Sequence, residues 1–415
     1  MQRRLRDEPN GLKELESLGE VAGYVTIATV EQIRKPDASF QIGRGKVEEL
    51  AQLVREKKAE KIIFDNRLKS VQAYNLAKET GVEVIDRFQL ILEMFTRRAS
   101  TTEAKLQIQL AKLQNEVAHA KEKVRLARME EQPGFRGLGA YEVDVYYEAV
   151  RKQVKSIQDK LARVKRKRGL HRSQRRKLGF ASISLSGYTN AGKSTLFNEL
   201  VKESVPIGEG LFTTLSTTTR VFNLLGKRIL LTDTVGFIDK LPIKLIRAFQ
   251  STLEETIFSD LILLVVDGNQ TCEEISRKLA VSLETIQRIG AYGIPLVTAL
   301  NKIDMLSEGE ITQRMETMRN SAQNVVPISA LEGENIDLLG QKLAQLLKNY
   351  VSISFSIPLS NDNLSFISWL YTYTDVKNIK YEEDYADVQI EAVPSFSEKV
   401  LGQIKKHDGT VKELA

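Results

Sequence analysis

The stretch Phe180-Ala-Ser-Ile-Ser-Leu-Ser-Gly187-Tyr188-Thr189-Asn190-Ala191-Gly192-Lys193-Ser194-Thr195-Leu-Phe-Asn-Glu-Leu-Val201 decides how the rest of this 415-residue chain is read. Its first seven residues are apolar and β-prone and its last six keep helical spacing, so the glycine-rich segment falls at a strand-to-helix turn. A loop of the form Gly187-x-x-x-x-Gly192-Lys193-Ser194 turns its N–H groups toward phosphates. Lys193 adds an ammonium for the β and γ oxygens, and the Ser194 hydroxyl is offered to magnesium. A merely structural glycine turn has no use for Lys193 and Ser194. The reading implies an α/β domain with a mainly parallel sheet and a nucleoside triphosphate at its strand ends.

Later strand ends name the nucleotide. The apolar run Arg228 to Leu231 leads to Asp233-Thr234-Val235-Gly236, an acid for the outer shell of magnesium and a glycine that senses a γ-phosphate. Leu296 to Leu300 leads to Asn301-Lys302-Ile303-Asp304. The Asp304 carboxylate accepts both the N1 and N2 protons of guanine, a pair that adenine does not offer. Ser329-Ala330-Leu331 follows the strand Asn324 to Ile328. By itself Asp-x-x-Gly is weak. All four in order, each at a strand end, predict a GTPase that takes GTP to GDP and phosphate with Mg2+.

Working outward, residues 21 to 96 alternate extended and helical patterns: Val21 to Val30, Lys46 to Glu56, Lys61 to Asp65, Ser70 to Glu79, Val82 to Asp86 and a helix from Gln89. Strands alternating with helices imply a second α/β domain. From Leu106 the pattern becomes a seam of Leu110, Leu113, Val117, Ala120, Val124 and Ala127, answered by Tyr147, Val150, Val154, Ile157, Leu161 and Val164. The glycine-rich stretch between them, with Phe135 and Arg136, makes an antiparallel helical hairpin the expected arrangement. Beyond residue 349 the short apolar runs and the single tryptophan, Trp369, read as a small α+β domain. The expected division is 1–100 for the N-terminal α/β domain, 101–179 for the hairpin and linker, 180–349 for the GTPase domain and 350–415 for the C-terminal domain.

Composition narrows the function. No apolar run approaches the roughly 18–20 residues that span a bilayer. Cys272 is the only cysteine and His119, His171 and His407 lie far apart, so neither an internal disulfide nor a cysteine-rich zinc site is available. A cytoplasmic location is expected. The net charge of +6 hides an asymmetry, because residues 97–177 hold 22 basic against 9 acidic side chains, a net of +13, on an otherwise acidic chain. The densest part, Arg163 to Lys177, has nine basic residues and no acid. Such a run suits a polyanion, bound through counterion release.

These residues resemble the HflX family within the Obg–HflX superfamily of translation-factor-like GTPases. The resemblance covers nearly the whole chain. Specific to it are Gly187 to Ser194, Leu211-Phe212-Thr213-Thr214-Leu215, Asp233 to Ile238, Ile42-Gly-Arg-Gly-Lys46, Phe64-Asp-Asn-Arg-Leu68, and Val84-Ile-Asp-Arg-Phe88 leading to Phe95-Thr-Arg-Arg-Ala99. The family's first strand is absent or abbreviated before Gly11.

The resemblance implies that the stretch Phe212, Thr213, Thr214, Leu215 and Ser216 is switch I. Within it Thr214 joins Ser194 as a magnesium ligand, with Asp233 in the outer shell. Phe237 stands where Ras-like enzymes carry a water-orienting glutamine, so no catalytic base is assigned and slow unassisted turnover is expected. The partner it implies is the large ribosomal subunit with its RNA, met through the basic hairpin, in ribosome splitting or rescue under stress. No DNA partner and a monomer are expected, and membrane association is open but not indicated. Two competing readings are a signalling GTPase acting on a protein or membrane, and an ATP-dependent RNA-remodelling enzyme using the N-terminal domain.

Overall fold

The computed structural model describes residues 1–5, 11–99, 101–130, 138–177, 180–202, 218–238, 255–347, 351–392 and 394–414. They divide into two compact units, one up to Arg163 and one from Val164 onward. Phe135, Arg136 and the stretch 212–216 lie outside the described residues.

In the first unit, strand β1 (Gln2–Arg4) pairs in parallel with β2 (Glu31–Ile33), and β3 (Lys61–Phe64) with β4 (Glu83–Asp86). Helices α1 (Leu12–Val21), α2 (Arg44–Lys57), α3 (Ser70–Thr80) and α4 (Arg87–Arg98) surround them. Strand β1, before Gly11, is three residues long. The extended run expected over Val21 to Val30 is corrected: Val21 ends α1, and the strand lies at Glu31–Ile33. A strand forms only against a partner, and β1 meets residues 31–33.

The start of α4 is fixed by its own sequence. The Asp86 carboxylate accepts from Gln89 N, and Gln89 Oε1 accepts from Asp86 N, both at 3.0 Å. The next residue, Arg87, is buried and donates to Asp65 Oδ1 at 2.7 Å and to Glu14 Oε2 at 2.5 Å.

Helices α5 (Thr102–Glu130) and α6 (Leu138–Lys177) carry the two seams. Leu113, Val150 and Ile157 are buried together, with Leu106, Leu110, Val117, Val154 and Leu161 packed around them. Seven residues separate the helices. Such a link spans at most about 25 Å, too short to return a chain for parallel packing of these turns, so the pair is antiparallel.

The second unit holds two sheets. The first has the order β10-β9-β8-β5-β7-β6. Its strands are β5 (Ala181–Gly187), β6 (Thr218–Leu224), β7 (Lys227–Asp233), β8 (Leu261–Asp267), β9 (Leu296–Asn301) and β10 (Val325–Pro327). Only the β6–β7 pair is antiparallel. Central β8 is buried from Leu261 to Val266, the continuous apolar run of a parallel strand covered on both faces. Helices α7 (Lys193–Val201), α8 (Cys272–Arg288), α9 (Glu308–Met318) and α10 (Ile336–Leu346) accompany it.

The second sheet, ordered β12-β13-β11-β14, is antiparallel. It is built from β11 (Val351–Pro358), β12 (Asp375–Tyr381), β13 (Tyr385–Ala392) and β14 (Thr410–Leu414). In β11 the buried Ile353, Phe355 and Ile357 alternate with half-buried serines, so one face is covered. Helices α11 (Asn361–Tyr373) and α12 (Pro394–Lys406) accompany this sheet, where Trp369 stacks on Phe396 with ring centres 5.5 Å apart.

Candidate nucleotide site

Parallel strands present their carboxyl ends on one edge, and the predicted loops all leave from that edge. Gly187 ends β5, Asp233 ends β7 and Asn301 ends β9, while Ser329 follows β10 by two residues. The predicted residues at these four strand ends therefore meet because the strands are parallel.

The P-loop is tied to the loop after β10 by one amide. Asn301 Nδ2 donates to Ala191 O at 2.9 Å, and Asn301 Oδ1 accepts from Ala330 N at 2.9 Å. Gly192 makes room for that amide: it has φ of 92°, and a Cβ there would lie 2.2 Å from Asn301 Nδ2. Exposed Asp304 is held from behind, accepting from Ser329 Oγ at 2.6 Å, while Ser329 Oγ also accepts from Glu332 N at 3.1 Å. Lys302 is fixed beside it by Asp267, Nζ to Oδ2 2.7 Å. The sequence reading missed Asp267. Its signal was an acid closing the otherwise apolar strand Leu261 to Val266.

At the phosphate end, Ser194 Oγ donates to Asp233 Oδ2 at 2.8 Å, joining two motifs 39 residues apart. Lys193 is 7% exposed and donates to Tyr188 O at 2.9 Å. Burial lowers its pKa to about 8, with Asp233 acting in the opposite sense. A single backbone carbonyl only partly replaces the water that burial takes from this ammonium.

Thr234 is fully buried and donates to Leu185 O at 2.5 Å, and Val235 is buried as well. Phe237 N donates to Gly187 O at 2.9 Å and Phe237 O accepts from Thr189 N at 2.8 Å, so the segment after β7 is laced to the P-loop. Asn190 and Leu331 are exposed, Ala191 and Ile303 buried, and Thr195 half-buried. Among the described residues no group of three or more histidine, cysteine or carboxylate side chains forms a metal cluster, and no helix is long and apolar enough to cross a membrane.

Four family models match in chain order: GTP-binding GTPase N-terminal over 10–96, GTP-binding GTPase Middle Region over 98–175, 50S ribosome-binding GTPase over 182–302, and HflX C-terminal domain over 312–411. The GTPase HflX of Thermococcus kodakarensis is 41% identical, covering 99% of this chain and 94% of its own. The chain belongs to the HflX family of GTPases. The HflX GTPase of Methanocaldococcus jannaschii is 42% identical over 88% of this chain and 89% of its own, and that of Escherichia coli 35% identical over 82% and 80%. A GTP-binding protein of Sulfolobus solfataricus, crystallised with GDP, matches with 26% identity over 83% of this chain and 97% of its own, at a TM-score of 0.45. As an HflX GTPase the chain binds GTP and GDP and hydrolyses GTP.

Proposed function

We propose that this HflX-family GTPase acts in the cytoplasm on the large ribosomal subunit, contacting its RNA through the α5–α6 hairpin and splitting or rescuing ribosomes under stress. The observation that carries the reading is the surface of α6. Arg151, Lys152, Lys155, Lys160, Arg163, Lys165, Arg166 and Lys167 are all exposed, while the apolar seam is turned inward. A ridge of cations along a helix binds phosphate backbones without a sequence requirement. The match to the family described as 50S ribosome-binding GTPase supports the same partner. Residues 1–100, 101–179, 180–349 and 350–415 are the proposed working parts.

In the reaction, Gly187 to Thr195 cradle the phosphates, and Lys193 offsets the charge that grows on the β–γ bridge as it breaks. Ser194 and Asp233 supply the hard oxygen donors that suit Mg2+, their side chains already in contact at 2.8 Å. Bound there with Thr214, magnesium would neutralise phosphate oxygens. Asp304, oriented by Ser329, accepts from guanine, and Lys302 and Leu331 flank the base. Phe237 is 2% exposed and its backbone is committed to the P-loop, so it aligns no water. Turnover is accordingly slow until a partner orders the site.

The test is GTP turnover by the protein alone, with large ribosomal subunits, and with naked RNA, repeated for Asp304→Asn. Stimulation by the subunit that disappears in the variant is the expected result. Equal rates in all mixtures would remove the ribosome from the reading.

A further inference from the structure

The loop that carries Asp304 is clamped from two sides. Beyond Asn301 the chain makes a short turn, Ile303–Met305, and enters α9 through its cap, Ser307. On one side stands the segment after β8, where Gly268 N donates to Asn301 O at 2.8 Å and Asp267 grips Lys302. The approach is close, since a Cβ on Gly268 would lie 2.8 Å from Asn301 O and 3.2 Å from Leu306 Cδ1. On the other side is the start of the helix, where Ser307 N and Oγ donate to Glu310 Oε2 at 2.9 and 2.8 Å.

One side chain joins the two sides. Arg314 lies in the middle of α9 with its side chain 12% exposed, and its Nε donates to Gly268 O at 2.8 Å and to Gln270 O at 3.2 Å, 46 and 44 positions earlier in the chain. Its Nη1 donates to Glu310 O at 3.4 Å, and Nη2 stands 3.7 Å from Glu310 Oε1, on the carboxylate that holds Ser307. The helix does not need this for its own packing. Met318 is its one buried residue, and Thr312, Gln313 and Glu316 are exposed. On so shallow a helix an arginine is free to reach solvent, yet this one turns its planar fork onto the backbone carbonyls of another strand's loop.

We infer that Arg314 is a positioning residue for base recognition: it fastens the loop after β8 to the start of α9, holds still the turn that carries Asp304, and so sets the preference for guanine. The inference rests on the reading of Asp304 as the guanine acceptor and deepens it. Accepting both the N1 and N2 protons requires the two oxygens of the Asp304 carboxylate to line up with the edge of the base. Ser329 fixes only Oδ1, at 2.6 Å, and a single bond leaves the carboxylate free to turn about it. The remaining freedom is that of the turn itself, which Arg314 restrains from both flanks without touching nucleotide. A turn released on either flank keeps one contact to the base and loses the other.

The experiment uses the full chain with Arg314→Met, which keeps the aliphatic stem and removes every donor, and with Arg314→Lys, which keeps one. Affinities are measured for GDP and for inosine diphosphate, whose base lacks the 2-amino group, together with KM for GTP and the single-turnover rate at saturating GTP. In Arg314→Met, GDP should bind roughly tenfold more weakly, and its advantage over inosine diphosphate should shrink about threefold or more. KM should rise while the saturated rate stays within about twofold, and Arg314→Lys should lie between Arg314→Met and wild type. An unchanged affinity ratio would overturn the proposal. So would equal losses for both nucleotides, the mark of a domain merely loosened, or a lower saturated rate at constant KM. Repeated in an Asp304→Ala background, the effect of Arg314→Met on the ratio should vanish, because the residue it positions is gone, and its persistence there would also overturn the proposal. Should Arg314→Met fail to fold, Arg314→Lys carries the test, with a smaller loss in the same ratio expected and an unchanged ratio overturning it. Asp304→Ala by itself separates the two readings, because a wild-type ratio in that variant would sink the guanine assignment of Asp304 whatever Arg314 does.

Discussion

Asn301→Ala removes both arms of the amide that ties the P-loop to the loop after β10. It leaves Ala191 O and Ala330 N without the partners they have at 2.9 Å, on residues 1% and 3% exposed. Each unpaired buried backbone group costs about 1–3 kcal/mol, so the pair is worth roughly 2–6 kcal/mol. Where that energy shows up is decided by the fold. The backbone of Asn301 stays in the sheet, in register with Asp267 of β8, so the strand itself is not lost. The two connecting loops, by contrast, open and hydrate once untied, and nucleotide must then close them. The cost therefore falls on affinity: at about 1.4 kcal/mol per tenfold, GDP should bind at least roughly 30-fold more weakly. Titration of a fluorescent GDP analogue, with thermal melting of the nucleotide-free protein beside it, reads both quantities. A dissociation constant within about threefold of wild type would refute the reasoning. So would a nucleotide-free protein that melts more than about 10 °C lower, since the tie would then be holding the domain and not the loops.

Three further outcomes are expected. Gly236→Ala places a Cβ 2.8–2.9 Å from Thr189 and Lys193, so the Phe237 bridge must give way. Hydrogen exchange at the Phe237 and Thr189 amides should then accelerate, and unchanged protection would count against the crowding. Lys193, lowered from 10.5 to about 8 by burial, makes two opposite pH trends. The nucleotide-free fold gains stability as pH rises from about 8 to 10.5, because the unfolded lysine binds the proton that the folded one has lost. Nucleotide favours the ammonium, so its affinity falls over the same range, and calorimetry near pH 9 in two buffers should show uptake of roughly one proton. No uptake would argue against a phosphate contact at Lys193. Arg87→Leu leaves the buried Asp65 and Glu14 carboxylates without their shared cation, a loss of about 3–5 kcal/mol. Exchange at β3 and α4 amides should report it, and wild-type protection there would show the triad to be dispensable.

That the P-loop, Asp233, Asn301 and Asp304 come together at one edge of the sheet was legible because each motif is a short run directly after an apolar strand. Contiguous residues suffice for that. The hairpin was legible because two seams of spacing four and three bury one another and the short link between them makes them antiparallel, and Leu113, Val150 and Ile157 meet as expected. The run Val21 to Val30 was misread because its apolar alternation specifies a strand's faces but not its partner, and β1 pairs one step further along, at Glu31–Ile33.

By itself, then, the sequence determined the parallel α/β architecture around the P-loop, the nucleotide class and the basic character of the hairpin. All three follow from local periodicity, motif chemistry and charge. Only the tertiary structure decided which groups meet: Asn301 with Ala191 across 110 residues, Ser194 with Asp233 across 39, and Phe237 with the P-loop. Those contacts depend on strand order and register, which place carboxyl ends side by side.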